Sequence, residues 1–242
     1  MATETSSKQK KVAILQSNYI PWKGYFDLMR SVDEFVILDD VQFTQQDWRN
    51  RNVIKTQQGL QWLTIPVTAH GKPNINEVAV SQPRWHVRHW KSISQNLRRS
   101  AYFERYEHEL HEAFVQAGEI SSLAAINIHF LTLVRQWLRI DSTLTCSSQY
   151  PAPVERTDRL VSICQQAGAT EYVSGPAAKD YLDEDRFRNA GIAVRWFDYE
   201  EYPEYPQLYG AFEHRVTVLD LVLNTGPGAI DYLKRKPKIE PG

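Results

Sequence analysis

The chain has 242 residues, 42% of them apolar and 24% charged, with a formal net charge of −1. Those proportions exclude a disordered or fibrous chain, and the balanced charge gives no global pull toward nucleic acid or an anionic membrane. Two cysteines, Cys146 and Cys164, without CxxC or Cys/His spacing, exclude a disulfide scaffold and a zinc module.

Residues 1–10 (MATETSSKQK) read as a disordered polar tail without the apolar stretch of a signal peptide. No segment approaches the roughly eighteen consecutive apolar residues of a membrane span, so a cytoplasmic protein is expected. VAILQ (Val12–Gln16) is a short β-branched run, the signature of a buried first strand. Pro21 suits the first turn of a helix, and Trp22, Phe26, Met29 and Val32 follow near helical spacing. FVILDD (Phe35–Asp40) is a second buried strand. Strand, loop, helix and strand in so short a span make a βαβ unit, which implies parallel pairing.

QWLTIPV (Gln61–Val67) is a third strand candidate. Three helices are then expected within about 86–140, because three apolar faces follow one another: Trp90, Ile93 and Leu97; Phe103, Tyr106, Leu110 and Phe114; and Leu123, Ile126, Phe130, Leu133 and Trp137. Leu144–Cys146 reads as a strand. Asp158 is placed as the N-cap of a helix over Arg159–Ala167, followed by the strand in TEYVSG, a short helix over Arg186–Ala190 and a last strand over Ala193–Tyr199. A tyrosine- and proline-rich loop precedes a final helix over about Glu213–Leu223. The expected architecture is a single α/β domain over 11–235, a mostly parallel sheet with flanking helices and a helical insertion.

The chemistry concentrates in loops that follow strands, where ligands of open α/β sheets bind. Gln16 and Asn18 both donate and accept, as recognition of a sugar hydroxyl or an amide requires. Asp39 and Asp40 alternate to opposite sides of their strand, so only one need face the cleft, as a proton acceptor or a ribose ligand. No third ligand follows them at a diagnostic spacing, so no metal site is expected. Trp48-Arg49-Asn50-Arg51-Asn52 with Lys55 suits a phosphate or carboxylate held through paired hydrogen bonds. Ser174, Gly175, Lys179 and Tyr181 lie in a second loop of this kind. Glycine-rich nucleotide fingerprints and the GxSxG elbow are absent. His86 is a candidate base at a helix start, and Cys146 has nothing nearby in sequence to activate it.

QSNYIPWKGYFDLM, DEFVILDDVQFTQQDWRNRNVIKT, LTIPV, YVSGPAAKDYLD and LDLVLNTGP together resemble the WbqC-like family of bacterial proteins, often encoded among O-antigen and other surface-polysaccharide genes. The resemblance spans about Val12–Lys234. Its opening motif more often reads QPNY, so Ser17 is a departure. The resemblance adds Tyr19, Trp22, Tyr25 and Gln42 to the candidate pocket. It implies polysaccharide biosynthesis by a transferase that forms an amide, moving an acyl or aminoacyl group, such as glycyl, to an amino sugar. The base would be Asp39, Asp40 or His86. The donor would be a phosphopantetheine thioester on an acyl or peptidyl carrier protein, or a carboxylate activated by ATP. The acceptor would be a nucleotide-linked amino sugar or a similar small amine. The other expectation is a noncatalytic module that binds nucleotide sugars or a carrier protein. A second likeness, of architecture, is to nucleotidylyltransferase-like folds, in which Trp22-Lys23-Gly24-Tyr25 takes the place of the two-histidine HxGH loop.

Overall fold

The computed structural model describes residues 9–153, 155–234 and 239–241, so most of the expected polar tail lies outside the described residues. The chain opens with β1 (Lys11–Leu15), α1 (Lys23–Arg30) and β2 (Glu34–Ile37). β1 and β2 pair in parallel, Ala13 opposite Phe35 and Leu15 opposite Ile37, so the βαβ unit is present. Pro21 stands just ahead of α1 instead of within its first turn, because Trp22, still extended, is the N-cap. β2 ends at Ile37, which leaves Asp39 and Asp40 in the loop beyond it.

β3 (Arg51–Thr56) and β4 (Gly59–Thr64) form an antiparallel hairpin apart from the main sheet. β3 covers residues expected to be loop, whereas the strand expected through Val67 stops before Pro66, which cannot donate to a ladder. β5 (Val67–Thr68) pairs with β6 (Ala79–Val80). The helical insertion consists of α2 (Trp85–Leu97), α3 (Phe103–Gly118) and α4 (Leu123–Trp137). β7 (Thr143–Cys146), α5 (Arg156–Gln166), β8 (Glu171–Ser174), α6 (Glu184–Asn189), β9 (Ala193–Phe197), α7 (Val218–Thr225) and β10 (Ile239–Pro241) complete the chain.

Two helix starts differ from the sequence expectation. α5 begins before Asp158 because Glu155 caps it, accepting the Asp158 N–H at 2.7 Å. α7 begins later than Glu213: Thr217 is its N-cap, donating its N–H to the β3 residue Val53, and bends at 214–216 precede it.

The main sheet runs β10-β9-β8-β1-β2-β7, and every pair in it is parallel except β10 with β9. It is a mixed, mostly parallel six-stranded sheet with seven α-helices among the described residues. Alternation splits its side chains into two cores. Val12, Ile14, Val36 and Tyr172 face α5 and α6; Ala13, Phe35, Ile37 and Val173 face α1, α7 and the insertion. Both cores are dry. Truncating a fully buried ring such as Phe35 to Ala is expected to cost about 3–5 kcal/mol.

The chain leaves β1 toward β2 and β7, then returns to place β8 on the other side of β1. That reversal makes the gap beyond the carboxyl ends of β1 and β8 the topological switch point, the usual ligand crevice of such sheets.

Candidate functional site

Beyond β1 the backbone keeps contact with β2: Leu38 N–H donates to Leu15 O at 2.9 Å. Ser17 is fully buried, and its N–H donates to Asp39 Oδ1 at 2.8 Å. Asn127 of α4 donates from Nδ2 to Ser17 Oγ at 3.0 Å and to the Arg49 carbonyl at 2.9 Å. Asp39 is therefore held from one side only, and its buried Oδ2 has no partner. Burial raises the pKa of Asp39 above the usual aspartate value, despite opposing contributions from the Ser17 backbone and hydroxyl and the Arg49 charge. Asp40 points the other way, as alternation requires. It accepts from Ser147 Oγ at 2.5 Å and forms an ion pair with Arg159 of α5. Of the two neighbouring carboxylates, Asp39 alone is left with an unpartnered oxygen.

The WRNRN segment clamps the loop after β1. Arg49 donates from Nη1 to Asn18 Oδ1 at 2.7 Å and from Nη2 to Gln16 Oε1 at 2.5 Å, with Asp47 at 3.7 Å. This grip occupies the amide oxygens of Gln16 and Asn18 and leaves their amide nitrogens as donors. Tyr19 N–H donates to Trp48 O, and Asn52 Nδ2 donates to the carbonyls of Tyr19 and Ile20. Ile20 sits at φ 39°, a conformation a β-branched residue avoids, so those two bonds fix an otherwise unfavourable turn. Asn50 holds Ile65 O. Arg51 lies over the Trp62 ring, 4.2 Å from its centroid, and Lys55 donates to Gln207 and to the Ala211 carbonyl.

Two cavities flank this clamp. The larger, about 520 Å³, has Asn18, Trp22, Trp48, Tyr199, Tyr202 and His214 among its lining residues. Trp22 packs against Tyr199 and Tyr202 at ring separations of 5.7 and 5.5 Å. The loop carrying these tyrosines is anchored by Lys23, which is buried beneath it. Lys23 Nζ donates to Pro203 O at 2.8 Å and lies 5.1 Å from the centroids of Tyr202 and Tyr205. Burial lowers its pKa to about 8, although Asp27 and Glu204 pull upward. Burial likewise lowers His214, with the charge of Lys23 adding to the effect. The smaller cavity, about 360 Å³, occupies the switch point and is lined by Gln16, Gln42, Arg156, Arg159, Ser174 and Tyr181, among others.

The structure thus gathers Gln16, Asn18, Trp22, Asp39, Gln42, Trp48, Arg49, Asn52, Ser174 and Tyr181 around one edge of the sheet. Gly175 is beside Tyr199, where a Cβ would come within 3.1 Å of its ring. Other candidates lie elsewhere. Tyr19 is buried in the core with its hydroxyl 2.8 Å from His89 Nδ1. Tyr25 is buried and donates to Gln16 O. His86 packs between Trp85 and Gly118, at the end of α3. Lys179 lies over Trp196. Asn127, Arg156, Arg159 and Tyr199 escape a sequence reading, because each joins the edge from a distant segment. The tyrosine-rich loop is the one signal that marks Tyr199. Among the described residues no group of His, Cys, Asp and Glu is arranged to hold a metal ion, and no helix is long and apolar enough to cross a membrane.

The pattern of the WbqC-like protein family matches residues 16–232. A protein of Mycobacterium tuberculosis (strain ATCC 25618 / H37Rv) described as "Uncharacterized protein Rv1507c" is 46% identical over 227 residues, which are 93% of this chain and 98% of that protein. No solved structure matches the chain.

Proposed function

The chain belongs to the WbqC-like family, and from that membership and the chemistry at the carboxyl edge of its sheet we propose a transferase that forms an amide on an amino sugar or similar amine. The observation that carries this reading is Asp39: a buried carboxylate of raised pKa, with one oxygen fixed by Ser17 and the other without a partner. Such a group is suited to take a proton from an attacking amine.

The amine nitrogen attacks the acyl carbonyl carbon while Asp39, whose Oδ2 is closed to solvent until the loop after β1 opens, takes its proton. The bond from that carbon to sulfur in a carrier thioester, or to the phosphate oxygen of an acyl adenylate, then breaks, and the leaving group departs with the electron pair. Asp39 returns the proton, either to the thiolate or to solvent. Gln16 and Asn18, set by Arg49, orient the acceptor through their free amide nitrogens. The aromatic wall of Trp22, Tyr199 and Tyr202 excludes water that would hydrolyse the donor. The adenylate route rests only on the sequence resemblance to nucleotidylyltransferase-like folds, an analogy of fold alone. The cytoplasm, which supplies nucleotide-linked sugars and carrier proteins, is the proposed setting.

Incubating the protein with nucleotide-linked amino sugars and either carrier thioesters or ATP plus amino acids should add an acyl mass to the sugar. Absence of product and of binding across a broad panel overturns the proposal. The larger cavity favours a second reading, a noncatalytic binding module, because its rings can hold a ligand without any proton acceptor. That reading requires ligand-induced stabilisation to survive Asp39→Asn with no turnover in any case.

A further inference from the structure

The smaller cavity carries cationic groups that the reaction above leaves unused. Arg156 and Arg159 come from the first turns of α5, so the positive end of that helix borders the switch point. Arg159 spends part of its guanidinium on Asp40, yet its buried Nε has no partner. Arg156 makes no ion pair among the described residues. Its guanidinium carbon lies over the Tyr181 ring, 3.3 Å from the centroid. A guanidinium held over a ring keeps its N–H donors available for bidentate recognition of phosphate. Gln42 and the Ser174 hydroxyl add neutral donors to the same wall. Asp40 is the one carboxylate in ion-pair contact with either arginine among the described residues, and Arg159 offsets its charge.

The sequence assigns phosphate to Arg49 and Arg51, but Arg49 is engaged in holding Gln16 and Asn18 and Arg51 in stacking on Trp62. We infer that the switch-point cavity is a phosphate subsite, with Arg156 as its main cation and Tyr181 as a platform beside it. Its volume of about 360 Å³ falls in the range of small-molecule sites. The ligand is a phosphorylated small molecule, either a nucleoside phosphate or the phosphopantetheine arm of a carrier. The site stands on its own geometry and rests on the transferase reading only for which of these substrates would reach it.

Calorimetric titration of the full-length protein tests this with pyrophosphate, ADP, phosphopantetheine and unphosphorylated pantetheine as probes. At least one phosphate-bearing probe should bind and pantetheine should not, with affinity falling as salt rises. Arg156→Ala should weaken that binding by about tenfold or more without lowering the melting temperature, and Arg156→Lys should restore only part of it. Arg188→Ala, on an exposed helix face, should have no effect. ADP binding tighter than pyrophosphate, with the advantage lost in Tyr181→Ala, identifies a nucleoside ligand; tighter phosphopantetheine identifies the carrier arm. The inference is overturned if no phosphate-bearing probe binds the parent at millimolar concentration, or if Arg156→Ala binds like the parent. Arg156-dependent binding without transfer leaves the subsite standing and removes the transferase; transfer at the parental rate in Arg156→Ala, with no phosphate binding, does the reverse.

Discussion

Glu34 opens β2 and Asp39 follows its end, so one short strand carries a buried carboxylate at each edge of the sheet. Their exposures are nearly the same, 4% and 6%, and burial pushes both upward in pKa. The partners decide the outcome. Glu34 accepts from Lys10 at 2.8 Å, from Thr145 at 2.7 Å and from Tyr150, and these bonds outweigh burial and leave it below the usual glutamate value. Asp39 has Ser17 on one oxygen and nothing on the other, so burial prevails. The comparison teaches that the partners of a buried acid's oxygens, and not burial alone, set the direction of its pKa.

The largest expected effect is on chemistry. Asp39→Asn should lower the transfer rate by roughly 10²–10⁴-fold, the range of general-base catalysis, while the fold persists. It should also stabilise the protein at neutral pH. A raised native pKa means that Asp39 loses stability for the fold as pH climbs from the ordinary aspartate value through its own, and the amide carries no such penalty. Melting curves of both proteins across pH check this, and a destabilised Asp39→Asn would break the contrast.

Glu34→Ala should do the opposite: lose about 1–3 kcal/mol of stability, as when a buried hydrogen-bonded carboxylate is removed and the Thr145 and Tyr150 hydroxyls lose their acceptor, with ligand affinity unchanged. The stabilisation from Glu34 is present above the ordinary glutamate pKa and lost as pH falls through its lowered one. Urea unfolding at neutral and acid pH measures both. Next in size is Arg49→Lys, which cannot reach Gln16 and Asn18 together and should weaken ligand binding by about tenfold, read by titration against the parent. The smallest effect belongs to His86→Ala. Packed on Gly118 away from both cavities, it should leave turnover within about twofold of the parent.

Much of the fold was legible because local pattern determines it. VAILQ and FVILDD are apolar on both faces, as strands covered by helices on each side must be, and the three apolar helix faces of the insertion announce themselves. β3 was not legible: RNVIKT looks polar, and only its packing under distant segments buries Asn52 and Lys55. The site was legible as a set of loops but not as a division of labour. Nothing near Arg49 says that its partners lie 33 and 31 residues earlier. Arg159 looks like an ordinary helix charge until the fold brings Asp40 to it across 119 residues. Asp39 and Asp40 are neighbours in sequence, and only long-range partners separate a bare carboxylate from a braced one.

The measurement that bears most directly on this account is an NMR titration of the side-chain carboxyl carbons, with Asp39→Asn and Glu34→Gln used to assign the two signals. It needs no substrate. The account predicts that Asp39 titrates above the ordinary aspartate range and Glu34 below the ordinary glutamate range in the same protein. An Asp39 midpoint at or below that of a free aspartate would show that its second oxygen is satisfied in solution, and would contradict its assignment as the poised base.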